Sequence, residues 1–74
     1  MTRRTVHTVP NPKGSGWANE VGGHVTSEHR KQSTAIKEGR RQAINLETEH
    51  VIHNREGQIR EKNSYGNDPY PPKG

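Results

Sequence analysis

The sequence predicts a small α+β domain: an antiparallel sheet with one helix packed on one face, the element order β-β-β-α-β-β, and an extended Pro-rich C-terminal tail. Three observations support this prediction. Short β-favouring segments alternate with Pro/Gly/Asn clusters, residues 33–46 follow a helical period, and an Asn-x-x-Gly turn joins two later strand-like segments. We expect a flexible N-terminus at 1–4, a single domain at 5–65 and a tail at 66–74.

Three strands are predicted before the helix. Residues 5–9 and 17–21 flank a cluster of Pro, Asn, Gly and Ser, a pattern typical of a hairpin with a longer loop. Gly22 and Gly23 end the second strand, and residues 24–29 form a weaker third strand. Because side chains alternate along a strand, the residues on one face of the second strand are Trp17, Asn19 and Val21.

A helix is predicted over residues 33–46, with Ser33 as its N-cap. At about 100° per residue, one narrow arc holds Ala35, Ile36, Gly39, Ala43 and Leu46. We interpret this arc as the buried stripe. A glycine inside a helix costs about 1 kcal/mol relative to alanine. We therefore expect Gly39 to lie where the helix backbone approaches the sheet closely, near the Trp17 ring.

The second hairpin has the clearest local signal. Its strands are predicted at 49–54 and 58–63, and residues 54–57 form a type I turn followed by a left-handed glycine. The predicted core contains Val6 or Val9, Trp17, Val21, Val25, Ala35, Ile36, Ala43, Leu46, Val51 or Ile52, and Ile59. A core this thin seldom supplies more than about 3–5 kcal/mol, and one helix covers only one sheet face. Weak homodimerisation is therefore expected to supplement it.

Composition excludes several classes of protein. The chain has 74 residues and no cysteine, which excludes a disulfide scaffold, a cysteine-based zinc site and a cysteine nucleophile. No apolar run exceeds two residues, so we expect neither a signal-peptide core nor a membrane span, and a cytoplasmic location. The net charge of +4 suits an anionic partner.

Several motifs identify a family resemblance. They are His7-Thr8-Val9-Pro10, Gly16-Trp17-Ala18, Ala35-Ile36, the stretch from Val51 to Arg60, and above all the ending Ser64-Tyr65-Gly66-Asn67-Asp68-Pro69-Tyr70-Pro71-Pro72-Lys73-Gly74. From Val6 onward the chain resembles the small bacterial proteins called domain of unknown function 2188. The resemblance implies a compact α+β fold in a bacterial or phage cytoplasm, and it transfers no catalytic residue. Basic Arg30 and Lys31 stand where an Asp or Thr is expected at the helix start.

The sequence predicts neither an enzyme nor a metal or cofactor site. It has five histidines, and the closest pair, His50 and His53, lies three apart in a predicted strand, which sends the two rings to opposite faces. No nucleophile elbow, phosphate-binding loop or dinucleotide glycine pattern is present. A domain of this size also has little room for a water-excluding pocket, so we expect no small-molecule substrate.

The basic cluster gives the leading functional hypothesis. It consists of Arg30, Lys31, Lys37, Arg40 and Arg41, on and just before the predicted helix. Such a surface can contact nucleic-acid phosphates through counterion release. The alternative interpretation of the same residues is a solvated helix face. Because stacking aromatics are missing, backbone contact is favoured over sequence-specific or single-strand recognition.

The C-terminal tail gives the rival hypothesis, a module for protein–protein interaction or homodimerisation. The open sheet face would take part, and the tail residues that would make contacts are Tyr65, Asp68, Pro69, Tyr70, Pro71 and Pro72. The same tail can instead cover its own sheet or exchange with a second subunit.

Overall fold

Five strands and one helix make up the fold of residues 4–66, in the predicted element order. Residues 4–66 are described by the structure, which is a computed structural model. The elements are β1 (Val6–Pro10), β2 (Trp17–Val21), β3 (His24–His29), α1 (Gln32–Leu46), β4 (Glu49–His53) and β5 (Ile59–Ser64). The predicted α+β fold class is confirmed. Apart from Arg4 and Gly66, the predicted N-terminal segment 1–4 and tail 66–74 lie outside the described residues.

The sheet is mixed rather than purely antiparallel. Its strand order is β3-β2-β1-β4-β5, and the central pair, β1 and β4, is parallel while the other pairs are antiparallel. The parallel pair arises because α1 carries the chain across one face from the edge strand β3. The chain then re-enters the sheet beside β1 in the same direction as β1. This crossover places the start of α1 and the β4–β5 turn at one end of the sheet.

The two tight turns follow their sequence signals. Between β2 and β3, Gly22 and Gly23 have φ angles of 60° and 83°, a left-handed conformation that glycine adopts without strain. Between β4 and β5, the Asn54 amide donates to the Gln58 carbonyl and the Gly57 amide donates to the Asn54 carbonyl. The Asn54 side-chain oxygen also accepts from the backbone amides of residues 56 and 58. The predicted turn with a left-handed glycine is therefore confirmed.

The helix begins earlier than predicted. Its N-cap is Lys31, whose extended backbone places its carbonyl to accept from the Ala35 amide at 3.1 Å. The predicted N-cap at Ser33 is wrong, because the first helical hydrogen bond already closes at Lys31. No side chain caps the start of α1, and no acidic residue lies in its first turn. The free amides of this first turn therefore receive no carboxylate from their own helix.

The core is smaller and more polar than predicted. Its buried apolar residues are Val6, Trp17, Ala18, Ala35, Ala43, Val51 and Ile52, and its buried polar residues are Thr8, Asn19, Thr48 and His50. The prediction that Leu46 and Ile59 are core residues is wrong, because 46% and 64% of their surfaces are exposed. Within residues 4–66, α1 packs on β1 to β4 and touches β5 only through a side-chain hydrogen bond of its first residue, so Ile59 has no helix above it.

Candidate functional site

A hydrogen-bonded polar row fixes α1 on the sheet. The Thr8 hydroxyl donates to Asn19 Oδ1 at 2.6 Å and lies 2.6 Å from His50 Nε2. Because the single hydroxyl proton goes to Asn19, the bond to His50 must run from His50 Nε2–H to Thr8. The Asn19 amide then donates to the Ala35 carbonyl at 2.9 Å and to Ser27 Oγ at 3.1 Å. The row therefore joins four neighbouring strands to the helix backbone.

Gly39 allows the helix to approach this row. A Cβ atom at Gly39 would lie 2.6 Å from Asn19 Oδ1, 2.6 Å from His50 Nε2 and 2.8 Å from Thr8 Oγ1. The expectation that Gly39 lies against the sheet is confirmed. Its nearest neighbours are the polar row rather than the expected Trp17 ring. The row and Gly39 together set the height of α1 above the sheet.

A basic cleft opens where α1 begins. It has a volume of about 590 Å³, and Trp17 forms part of its wall. The cleft cations, as we call its four basic residues, are Arg30, Lys31, Arg55 and Arg60. They come from the link before α1, from the β4–β5 turn and from β5. Among the lining residues within 4–66, Glu56 is the one carboxylate, so cations outnumber anions there by four to one.

The side chain of Gln32 links elements on two sides of the cleft by hydrogen bonds. Gln32, the first residue of α1, donates from Nε2 to the His53 carbonyl at 3.1 Å and accepts at Oε1 from Arg60 Nη1 at 3.1 Å. It thereby ties the helix start to β4 and orients Arg60. Within residues 4–66, the side chains of the other three cleft cations have no ion pair or hydrogen bond. Their charges are free to meet an anion from outside.

The start of α1 adds to the positive potential of the cleft. Lys31 and Gln32, its N-cap and first helical residue, both line the cleft. The free amides of a helix start carry partial positive charge, so they and the cleft cations favour an anion at the same place.

The five basic residues predicted from the sequence do not form one surface. Arg30 and Lys31 line the cleft, whereas Lys37, Arg40 and Arg41 lie further along α1 and are exposed. The Arg41 guanidinium forms a two-bond ion pair with Glu38. Hydrogen bonding to Arg41, and then to Gln42, lowers the pKa of the Glu38 carboxyl to about 2. Arg41 is therefore engaged on its own helix.

Sequence reasoning missed Arg55 and Arg60 as site residues. Both lie in the second hairpin, whose strands and turn the sequence predicts well. Their position beside the helix start, however, depends on the parallel pairing of β1 with β4. Recognising that pairing would have placed the hairpin turn next to Arg30 and Lys31.

The aromatic and tail residues have limited roles in the described structure. Only 6% of the Trp17 surface is exposed, so its ring offers little area for stacking a base. Tyr65 is half-buried, and its backbone amide donates to the Thr48 carbonyl at 3.0 Å. The remaining tail residues of the rival hypothesis lie outside the described residues, namely Asp68, Pro69, Tyr70, Pro71 and Pro72.

Comparison with known protein families gives a match over most of the chain. The family model described as "Uncharacterized protein conserved in bacteria (DUF2188)" matches residues 6–65, which is most of the chain and includes every strand and the helix. No curated protein and no solved structure matches the chain. Among residues 4–66, no helix is long and apolar enough to cross a membrane.

Proposed function

This chain belongs to that bacterial family of uncharacterised proteins, and we propose that it is a non-enzymatic binding module that holds nucleic-acid backbone phosphates in the basic cleft. The observation that carries the proposal is the convergence of the four cleft cations, three of them without a partner within residues 4–66. Like charges repel, so an arrangement that gathers them around a cavity is more stable when an anion occupies it.

The shape and lining of the cleft favour phosphate over a carboxylate-bearing protein segment. Three of the four cleft cations are arginines, whose planar guanidinium groups match phosphate oxygens with paired hydrogen bonds. The cleft is open, so a polymer can pass across it without being enclosed. Lys37 and Arg40 are exposed further along α1 and do not line the cleft, so they are a matched pair of cations outside the site.

Weak sequence preference follows from the same geometry. In the part of the chain that the structure describes, Trp17 is the one aromatic ring in the cleft wall, and it is almost wholly buried. Without an exposed ring on which bases can stack, affinity comes from phosphate contacts, which carry no direct sequence information. We therefore expect micromolar or weaker binding that is nearly the same for all sequences.

The test is a salt titration of binding to a random-sequence DNA duplex, followed by fluorescence anisotropy. The paired variants are Arg30→Ala/Arg55→Ala in the cleft and Lys37→Ala/Arg40→Ala on the outer helix, which remove the same charge. The cleft pair should lower the slope of log affinity against log salt by about two units. The outer pair should lower it by less.

Two results would overturn this proposal. One is the absence of binding at about 50 mM salt, where screening is weak. The other is an equal loss of salt slope in both paired variants, which would mean that binding depends on net charge alone. The module for protein interaction or weak homodimerisation would then be the better hypothesis. Its supporting observation is the large exposed surface of Ile59 on a sheet face that α1 does not cover.

A further inference from the structure

A pair of histidines lies on the face of the sheet opposite α1. His7 of β1 and His53 at the end of β4 are 46 positions apart in sequence, and the parallel β1–β4 pairing brings them together. His7 Nδ1 lies 3.0 Å from His53 Nε2, and the ring centroids are 5.2 Å apart. His50 points to the other face and belongs to the polar row, as the odd spacing of His50 and His53 predicts.

The protonation of the pair follows from a neighbouring carbonyl. His53 Nδ1 lies 3.0 Å from the Gly57 carbonyl oxygen, which can only accept, so Nδ1 carries the proton. The lone pair of the neutral His53 ring is then on Nε2, facing His7. A ring N–H donated to a backbone carbonyl is the arrangement that orients histidine ligands in metal sites.

We propose that His7 and His53 form a binding site for a divalent transition-metal ion, with Cu²⁺ and Ni²⁺ preferred over Zn²⁺ and with water completing the coordination. A metal–nitrogen distance of about 2.0 Å puts two ligands at 90° about 2.8–2.9 Å apart and two tetrahedral ligands about 3.3 Å apart. The hydrogen-bonded separation of 3.0 Å lies between these values, so small ring rotations bring both nitrogens onto one ion. The preference for Cu²⁺ and Ni²⁺ follows from the ligand set, since two imidazole nitrogens with water oxygens suit these ions.

Proton balance is maintained when the ion binds. The proton on His7 Nδ1 moves to His7 Nε2, and both Nδ1 of His7 and Nε2 of His53 then donate their lone pairs to the metal after small ring rotations. No proton is released, and no oxidant or reductant is needed.

The surroundings of the pair suit a cation. Glu20 is the cross-strand partner of His7 and supplies negative charge on the same face. Within residues 4–66, no three His, Asp or Glu side chains are grouped to hold an ion, so the proposed site has two protein ligands and water supplies the others.

The test uses copper sulfate and nickel chloride with the full chain, measured by calorimetry. We expect one saturable equivalent. Affinity should fall at least about tenfold in His7→Asn and in His53→Asn, because each leaves one protein ligand. The control is His24→Asn, which removes an exposed histidine from β3 and should bind as the unaltered chain does. Zinc should bind more weakly than copper and nickel.

A second measurement does not depend on whether the variants fold. Substoichiometric Cu²⁺ should broaden the amide NMR signals around residues 7 and 53 of the unaltered chain first, because the ion is paramagnetic. Broadening centred on another histidine or on the N-terminus would overturn the proposal. So would unchanged copper affinity in a folded His53→Asn variant, or the absence of saturable binding.

Discussion

Gly39 is the residue on which the packing of the helix depends most. It lies above Thr8, Asn19 and His50, whose polar atoms are bonded to one another, so that moving one of them aside strains a hydrogen bond. Gly39→Ala should destabilise the protein by about 1–3 kcal/mol through overpacking, which outweighs the gain of about 1 kcal/mol in helix propensity. Urea denaturation measures the difference. The control is Gly14→Ala, whose added Cβ meets nothing within 4 Å. A more stable Gly39→Ala variant would mean that the polar row can shift.

Glu56 tests the charge of the cleft at the level of one side chain. Within residues 4–66 it is the one carboxylate that lines the cleft beside the four cleft cations, so Glu56→Gln removes a repulsion against bound phosphate. A charge about 6 Å from a phosphate in water is worth about 0.7 kcal/mol, or about threefold in affinity. Duplex binding at low salt should tighten by that factor. Glu49→Gln, whose partner is Lys62 and which does not line the cleft, should change binding less. Equal effects would place the phosphates elsewhere.

Among the elements, the N-terminal end of α1 is suited to binding an anion rather than to stabilising the helix. Lys31→Asp supplies the missing N-cap and a favourable charge at the helix start, which should stabilise the protein by about 1 kcal/mol. The same change replaces a cleft cation with an anion, so duplex affinity should fall. Denaturation and anisotropy on one sample measure both effects. The charge-matched control Lys37→Asp lies within the helix and should gain no stability. A less stable Lys31→Asp variant would contradict the cap geometry.

Local signals predicted the elements well and their partners poorly. The bounds of β2, β3 and the Asn54–Gly57 turn follow from alternation, glycine and Asn chemistry, all of which act within a few residues. The parallel β1–β4 pairing depends on contacts more than forty residues apart, which no local period encodes. One wrong prediction, that Ile59 is a core residue, and two features that the sequence did not predict share that cause. The two features are the position of Arg55 in the cleft and the meeting of His7 with His53.

At the scale of the whole molecule, a thin apolar core is supplemented by buried polar bonds, and that makes stability depend on pH. Burial is the largest cause that lowers the pKa of both His7 and His50 below 6.5. The unfolded chain therefore takes up protons at a higher pH than the folded chain does. The stability that neutral His7 and His50 contribute is fully present above pH 6.5 and is lost as pH falls below it, by up to about 1.4 kcal/mol per pH unit for each ring.

Urea denaturation between pH 7.5 and 5 measures this loss. Glutamate carboxyls, with an ordinary pKa of about 4.3, stay largely ionised in that range, and the pKa of Glu38 is lower still. The slope of the free energy of unfolding against pH therefore reports the titration of the histidines. His7→Asn should reduce this slope, because it removes one of the two histidines whose pKa is lowered. His24→Asn, at an exposed position, should leave the slope unchanged. A free energy of unfolding that stays constant between pH 7.5 and 5 would mean that His7 and His50 titrate as they do in the unfolded chain. The polar row under α1 would then accommodate a charged His50. Gly39 would have to pack less tightly on that row than the distances in the structure indicate.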